Sequence, residues 1–228
     1  MNIRLLAFGF LIPIMMSSCI VYHTQTTDIP LISDKNDLRV DAGVSIVPSA
    51  HVTASYGLTD KIAIQGFGSI GSDDRYYFQV ATGLFKNKGN SRVIELYGGF
   101  GYGYGNAYCD ANPGYLIGDY QLYYGQFNYG KIANELSNFE IGFGIKTGYL
   151  RSNLTDENYY DWISETGPYN TYHDESILIE PIGFIRIGGE KLKFSVKLGG
   201  TMIYKFTNTD RYFPYGKINL GLGINYRL

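Results

Sequence analysis

Acidic and aromatic side chains are concentrated between residues 153 and 175, and they offer the most evident binding chemistry in the sequence. This stretch holds six carboxylates and five tyrosine or tryptophan rings, but no lysine or arginine. Carboxylate oxygens bind hard cations such as Ca²⁺ and flat rings stack on sugars, although the spacing matches no EF-hand loop. We therefore expect a solvated acidic loop, with a specific cation, glycan or partner site as the alternative. The candidate contact residues are Asp156, Glu157, Asp161, Trp162, Glu165 and Asp174.

A second chemical feature is Cys19, which follows a segment with the layout of an export signal. Residues 1–18 contain one early cation, Arg4, then an apolar core that is too short to span a membrane as a helix, and finally two serines. The run Met16-Ser17-Ser18-Cys19 resembles a bacterial lipoprotein processing site, so we expect lipid on Cys19. An ordinary cleaved signal is the alternative. A lipidated Cys19 leaves Cys109 without an intramolecular partner, which excludes a disulfide framework and a cysteine metal site.

The rest of the chain is organised by apolar side chains that recur at every second place. The last run ends at Leu228 and carries one apolar face and one polar or small face, as a strand does. It is about 40 Å long at ~3.3 Å per residue, and a tilt of ~40° leaves enough rise to cross the ~25 Å apolar band of an outer membrane. We count ten such runs: 38–47, 51–58, 62–70, 76–85, 93–106, 120–133, 139–152, 176–188, 192–204 and 215–228.

The connections between these runs alternate in length. Those after even runs are short, whereas those after odd runs include the three longest, residues 107–119, 153–175 and 205–214. Alternate connections of an up-and-down barrel lie at the same end, so the long loops gather at one rim. We predict an all-β, up-and-down antiparallel transmembrane β-barrel of about ten strands. Eight strands are the alternative, and Pro181 in the eighth run predicts a bulge or break.

The distribution of charge predicts which face of each strand points outward. The apolar faces are free of charge except for Lys131 and Arg151, which lie at strand ends. A Lys or Arg that faces lipid at midplane costs about 2 to 4 kcal/mol, so a lipid-facing surface avoids such residues. The opposite faces hold Gly, Ser, Asn and charges of both signs, which fits a narrow polar lumen. A soluble barrel would carry this polar set outside, at an unusually low charge density.

The two-residue alternation, the Ser-Ser-Cys signal, the long loops and the amphipathic last strand together resemble small outer-membrane β-barrel proteins of Gram-negative bacteria. The lipoprotein-type signal resembles that of Bacteroidota proteins. The resemblance implies that outer-membrane lipids surround the barrel and that the barrel-assembly machinery reads the last strand. It also implies long loops that face outward from the cell, available to a surface ligand through residues 107–119, 153–175 and 205–214. With an even number of strands, both termini are expected on the periplasmic side.

Barrel size limits the function that these features allow. A barrel of about ten strands is filled by its own side chains, so we expect a non-enzymatic protein whose external loops serve surface interaction or envelope structure. A soluble lipocalin-like periplasmic lipoprotein that binds an apolar ligand is the first alternative, and a membrane-embedded hydrolase is the second. Omptin-like proteases use acidic residues and a histidine near the external rim, for which Asp73, Asp74, His173 and Asp174 are candidates. A lipid-modifying barrel would use His51.

Composition and pattern divide the chain into three parts and exclude one class of partner. Residues 1–18 are the signal peptide, 19–37 a lipid-anchored tether, and 38–228 the barrel. The formal net charge of −2 and the absence of a basic run give no reason to expect nucleic acid. No cofactor or metal is expected.

Overall fold

The computed structural model describes residues 20–25, 29–72, 74–109, 114–133, 138–156, 170–207 and 213–228. Within these ranges, no helix is long and apolar enough to cross a membrane. The chain there forms eleven strand segments: β1 (Leu38–Ser45), β2 (Ser49–Gly57), β3 (Ile62–Gly71), β4 (Tyr76–Asn87), β5 (Arg92–Cys109), β6 (Gly114–Lys131), β7 (Phe139–Asp156), β8 (Asn170–Gly188), β9 (Leu192–Gly200), β10 (Met202–Lys205) and β11 (Ile218–Arg227).

The strands form one closed sheet in which every pairing is antiparallel. From β1 to β8 each strand pairs with the next, and β1 closes the sheet by pairing with β11. Both β9 and β10 pair with β8 in one continuous register, so they are two parts of a single strand. The fold is therefore an antiparallel β-barrel of ten strands, which confirms the predicted fold class and favours ten strands over eight.

The interruption between β9 and β10 has its origin in Pro181. Strand β8 is continuous and stays paired with β7 throughout, with Pro181 opposite Ile145. On its other side, the register sets Pro181 opposite Gly200, where the ladder to β9 and β10 is broken. Proline has no N–H to donate to a ladder. On the other side, the amide of Thr201 donates to the carbonyl of Lys217, next to the start of β11, so the contact with β11 continues past the break. The predicted break is thus found in the ladder beside Pro181.

The outward side chains of the central band are apolar, whereas the inward side chains combine polar and charged groups with buried apolar residues such as Phe67, Tyr97 and Leu178. Val80 and Ile187 are each 59% exposed, whereas the lumenal Glu95, Glu140 and Lys146 are fully buried. This orientation confirms the predicted outward direction of the apolar faces. It is the reverse of a barrel with an apolar interior, which the lipocalin-like alternative requires.

The strands differ in height, and this corrects the predicted loops. β5 to β8 contain 18 or 19 residues each, compared with 8 to 12 in β1 to β4. Pairing of β5 with β6 continues until Cys109 lies opposite Gly114, so most of the predicted loop 107–119 is strand. Pairing of β7 with β8 likewise continues until Asp156 lies opposite Asn170. On β7 and β8, hydropathy did not reveal the extension because the outward residues there are polar: Asn153, Thr155, Thr171, His173 and Glu175.

Tyrosines frame the apolar outer band at both ends. The end of the barrel with the connections 110–113, 157–169 and 206–217 is called the long-loop end, and the end with the connections 58–61, 88–91, 132–138 and 189–191 is the short-turn end. The outward tyrosines nearest the long-loop end form an upper ring, and three others lie near the short-turn end. The upper ring is Tyr76, Tyr102, Tyr104, Tyr123, Tyr149 and Tyr204, and the lower tyrosines are Tyr56, Tyr129 and Tyr226. Aromatic girdles of this kind mark the two interfaces of an outer-membrane barrel.

Candidate functional site

The lumen is occupied by the residues that precede β1. Described residues of the N-terminal segment, here called the plug, are Ile20–Gln25 and Ile29–Ser33, and all but Ile20 are buried. The sequence predicts a tether for this stretch, which the structure corrects. Polar side chains of the lumen give the plug backbone hydrogen-bond partners, and barrel rings give its apolar side chains a surface to pack on.

Near the long-loop end, the plug is held by backbone bonds and by aromatic contacts. The amides of Val21 and Tyr22 both donate to the carbonyl of Pro214, at 3.0 and 3.1 Å. The hydroxyl of Tyr22 donates to Glu180 Oε1 at 2.9 Å, and its ring lies against Tyr120 at 5.3 Å between centroids. Tyr22 is fully buried, so its ring occupies the lumen at this level.

Further along the plug, its contacts move step by step towards the short-turn end. The side chain of Asn219 donates to the carbonyl of Thr24 at 2.9 Å. The amide of Ile32 donates to Glu95 Oε1 at 2.7 Å. These bonds tie the plug to β11 and to β5, on different sides of the wall.

The two ends of the described chain lie at opposite mouths of the barrel. Val21 bonds to Pro214 at the long-loop end, while Leu38 exchanges backbone bonds with Leu228 at the short-turn end. The prediction of two periplasmic termini assumed that they share one end of the barrel, whereas described residues near the two termini, Val21 and Leu228, lie at opposite ends. Its reasoning counted strands correctly but did not anticipate a segment that runs back through the lumen before β1.

Charged side chains at the short-turn end of the lumen converge on Glu140. Arg39 Nη1 and Arg186 Nη1 donate to its Oε2 at 3.0 and 3.1 Å, and Lys193 Nζ lies 3.5 Å from its Oε1. Beside this cluster, Arg227 makes a two-pronged contact with Asp37 at 2.9 and 2.8 Å. Buried charges require such partners, because an unpaired charge in the lumen would lose its hydration without compensation.

A second lumenal cluster brings a serine, a histidine and an aspartate together. Asp41 accepts a bond from Ser195 at 3.2 Å, pairs with Lys197, and lies 3.7 Å from His51 Nε2. Nucleophilic catalysis needs the serine hydroxyl to bond to the histidine base, but here it donates to the carboxylate. All four side chains are buried. The structure therefore places His51 in the lumen, beside Asp41 and Lys197, rather than at the membrane rim.

Two of the residues predicted for a cation or glycan contact are strand residues. Asp156 and Asp174 belong to β7 and β8 and point into the barrel. Asp174 is paired with Lys205 at 3.0 Å and accepts a bond from Thr207 at 2.7 Å. Glu157, Asp161, Trp162 and Glu165 lie outside the described residues. Among the side chains that are described, no group of three or more His, Cys, Asp or Glu is arranged to hold a metal ion.

The candidate histidine and aspartate of a protease, His173 and Asp174, lie on opposite faces of β8. His173 points outward and bonds to Asn153 Oδ1 at 2.7 Å, while its neighbour Asp174 points inward. Successive residues of a strand face opposite sides, so the two cannot act as a pair. Asp74 lies in the turn after β3, and Asp73 lies outside the described residues.

The outward surface above the upper ring is mostly polar, with Ile117 as an apolar exception on β6, and it extends over three strands. We call it the upper wall, and it comprises Asp119, Gln121, Arg151, Asn153, Thr155, Thr171, His173 and Glu175. A chain of hydrogen bonds crosses it, because Asn153 donates to Asp119 at 3.1 Å and also contacts His173. Arg151 faces Glu175 directly across the strands. Sequence reasoning missed this surface because it assigned these residues to loops or to snorkelling at a strand end.

Comparisons with known proteins identify the fold. No protein-family model and no curated protein matches the sequence. Among solved structures, the outer membrane protease OmpT from Escherichia coli matches with a TM-score of 0.54 at 12% identity, over 90% of this chain and 100% of that one. The translocator domain of the autotransporter NalP from Neisseria meningitidis matches at 0.46 and 10%, over 87% and 91% of the two chains. The KdgM porin matches at 0.41 and 9%, over 83% and 98%.

The similarity to OmpT shows a shared outer-membrane β-barrel fold and nothing about activity. Together with the apolar outer band and the tyrosines at both of its ends, this fold supports an outer-membrane location in a Gram-negative bacterium.

Proposed function

We propose that this chain is a non-enzymatic outer-membrane protein that keeps its lumen closed and offers the upper wall, with the long loops, to a partner outside the cell. The observation that carries this proposal is the burial of the plug inside the lumen. Tyr22 is fully buried across the lumen and bonded to Glu180, which leaves no reason to expect bulk diffusion through the barrel. Interaction must then use surfaces outside the lumen.

The upper wall is the part of the outer surface that rises beyond the apolar band. On β7 the outward residues continue from Tyr149 to Thr155, about 20 Å of strand or ~15 Å of height at a tilt of 40°. Acceptors and donors alternate across it, from Asp119 through Asn153 to His173. A polar, hydrogen-bonded sheet surface suits a protein or glycan partner better than a lipid.

The arrangement of ionisable groups favours a non-enzymatic role. His173 and Asp174 face opposite sides of β8, and His51 is enclosed in the lumen beside Lys197. Protease and acyl-hydrolase assays on the purified barrel are expected to give the same background rate for the unaltered protein and for His173→Ala. A rate in the unaltered protein that falls in the variant would contradict this part of the proposal.

Conductance across a planar bilayer tests the closed lumen. The full-length protein is expected to show no stable channel, because plug side chains fill the lumen. A variant with Tyr22→Gly and Thr24→Gly, confirmed as folded by its heat-modifiable migration on a gel, is expected to conduct more often. Stable open channels in the unaltered protein would refute the proposal.

Orientation follows from the proposed role and has its own test. We expect the long-loop end outside the cell, because outer-membrane barrels have short periplasmic turns and longer external loops. In a Cys109→Ser background, a membrane-impermeant maleimide should label Thr155→Cys in intact cells. Lys88→Cys, in the short turn after β4, should react only after the outer membrane is permeabilised. The reverse result would place the upper wall in the periplasm.

The proposal retains lipid on Cys19 and assembly through the last strand. The amide of Val21 donates to the carbonyl of Pro214, so the described start of the plug lies at the long-loop end. Metabolic labelling with palmitate is expected to mark the unaltered protein and not Cys19→Ala. The amphipathic face of β11, which remains paired to both β1 and β9, is the expected signal for the barrel-assembly machinery.

A further inference from the structure

Four exposed cations lie together on the outer surface at the short-turn end. Lys86 ends the outward column of β4, Lys88 follows in the turn, Arg92 begins β5, and Lys131 ends β6. All four side chains are exposed. We refer to Lys86, Lys88, Arg92 and Lys131 as the basic rim.

The basic rim begins where the apolar outer band stops. On three neighbouring strands, a cation lies two places beyond the last apolar outward residue, in the direction of the short-turn end. The successions are Leu84 to Lys86, Ile94 to Arg92, and Tyr129 to Lys131. Because side chains two places apart on a strand lie ~7 Å apart, the cations lie at the depth of lipid head groups when the apolar band is embedded.

The strand register forces these like charges close together. Arg92 and Lys131 are directly opposite one another across β5 and β6, and the amide of Lys88 bonds to the carbonyl of Arg92. Like charges directly opposite one another destabilise a sheet unless something neutralises them. None of the ion pairs formed within the described residues includes a member of the basic rim. Its charge is therefore available to an external anion.

The opposite end of the same strands lacks this feature. Above the apolar band, the corresponding outward residues are Tyr76 on β4, Asn106 on β5, and Gln121 and Asp119 on β6. None of these is a cation. These three strands therefore present different charges to the two leaflets. The leaflet that borders the short turns faces the basic rim, and the other leaflet faces no cation among the described residues of these strands.

We propose that the basic rim binds the phosphates of anionic phospholipid head groups in the leaflet that borders the short turns. Charge complementarity and continuity with the acyl-facing band identify the occupant, since an anion joined to apolar chains satisfies both surfaces at once. Tyr129, directly above Lys131 on the outer face, lies at the depth of the ester groups. A cation near an anionic membrane surface contributes about a fivefold factor in affinity, equivalent to ~1 kcal/mol. This inference does not depend on the partner proposed for the upper wall.

Lipid selectivity measured by native mass spectrometry tests the proposal. The purified full-length barrel is presented with equal amounts of phosphatidylglycerol and phosphatidylcholine that carry the same acyl chains. We expect retained phosphatidylglycerol to exceed phosphatidylcholine by at least about fivefold. The triple variant Lys86→Gln, Arg92→Gln, Lys131→Gln should bring this ratio to within about twofold of unity.

A matched variant separates a local site from net charge. Lys35→Gln, Lys191→Gln, Lys217→Gln removes the same number of exposed cations outside the basic rim, and it should keep the preference of the unaltered protein. Heat-modifiable migration confirms that each variant is folded. The proposal is overturned if the unaltered barrel shows no preference, if the rim variant keeps it, or if both variants lose it equally.

Discussion

Glu140 is the carboxylate on which the lumenal charges of the short-turn end depend, so its neutralisation is the most informative perturbation of the fold. In Glu140→Gln the shape is retained and only the negative charge is lost. Arg39, Arg186 and Lys193 then lose a partner that they now reach at 3.0, 3.1 and 3.5 Å. All of these side chains are at most 3% exposed, so water cannot readily replace the missing charge.

The free energy of unfolding that Glu140→Gln should lose can be placed within a range. Removal of one partner from a buried ion pair costs about 3 to 5 kcal/mol. Three cations lose Glu140 here, but Arg39 keeps Asp37 at 3.8 Å, so we take the middle of that range. With a urea slope of ~2 kcal/mol per molar, a loss of about 4 kcal/mol lowers the unfolding midpoint by about 2 M. Unfolding of the protein in lipid vesicles is followed by the loss of the fast-migrating folded form on a gel.

Two comparison variants make the result interpretable. Glu190→Gln changes an exposed carboxylate in the adjacent turn and should alter the free energy of unfolding by less than about 0.5 kcal/mol. Adding Lys193→Met to Glu140→Gln removes one uncompensated cation and should recover part of the lost stability. If Glu140→Gln unfolds within 0.5 M of the unaltered protein, the lumenal ion cluster does not hold the barrel together as reasoned above.

Other perturbations have distinct expected outcomes. Tyr22→Phe removes the 2.9 Å bond to the buried Glu180 and should cost about 1.5 to 3 kcal/mol in the same urea assay, and an unchanged midpoint would show that the plug is not held there. Gly101→Ala places a methyl group 2.0 Å from a buried tyrosine hydroxyl and should lower the free energy of unfolding by about 1 to 3 kcal/mol. Gly98 faces open space outside the barrel, so Gly98→Ala should be neutral. Equal effects of the two variants would contradict the assigned faces. Val80→Arg, at the middle of the outer face of β4, should cost about 2 to 4 kcal/mol on refolding into vesicles, and a neutral result would argue against lipid contact there.

The strands and their outward faces could be predicted because their signal is local. Phe143 and Ile145 are two residues apart, and a two-residue period places both on one face without knowledge of any other strand. The same rule assigned Glu140 and Lys146 to the lumen. What the rule cannot supply is which lumenal charges meet. Arg39 and Glu140 are 101 residues apart, and their contact depends on the register of the whole barrel.

The plug and the upper wall were missed for different physical reasons. The plug has no period, because an irregular segment inside a lumen takes its hydrogen bonds from many strands. One signal was available, since Ile29, Leu31 and Ile32 are too apolar for a solvated tether. Residues such as Asn153 and His173 continue a strand with polar side chains on its outward face, so the hydropathy pattern ends while the backbone pairing does not. Asp174, taken for a loop ligand, is an inward strand residue paired with Lys205.

The position of the plug constrains the order in which the barrel can be made. The plug joins β1 at the short-turn end, and a finished cylinder would have to be threaded from one mouth to the other. Assembly is simpler if the plug is in place first and the strands of the barrel then form around it. Glu95 on β5, Glu180 on β8 and Asn219 on β11 each meet the plug in turn, so successive strands can dock on it as they arrive. The pairing between β1 and β11 would then form last and enclose the plug in the lumen.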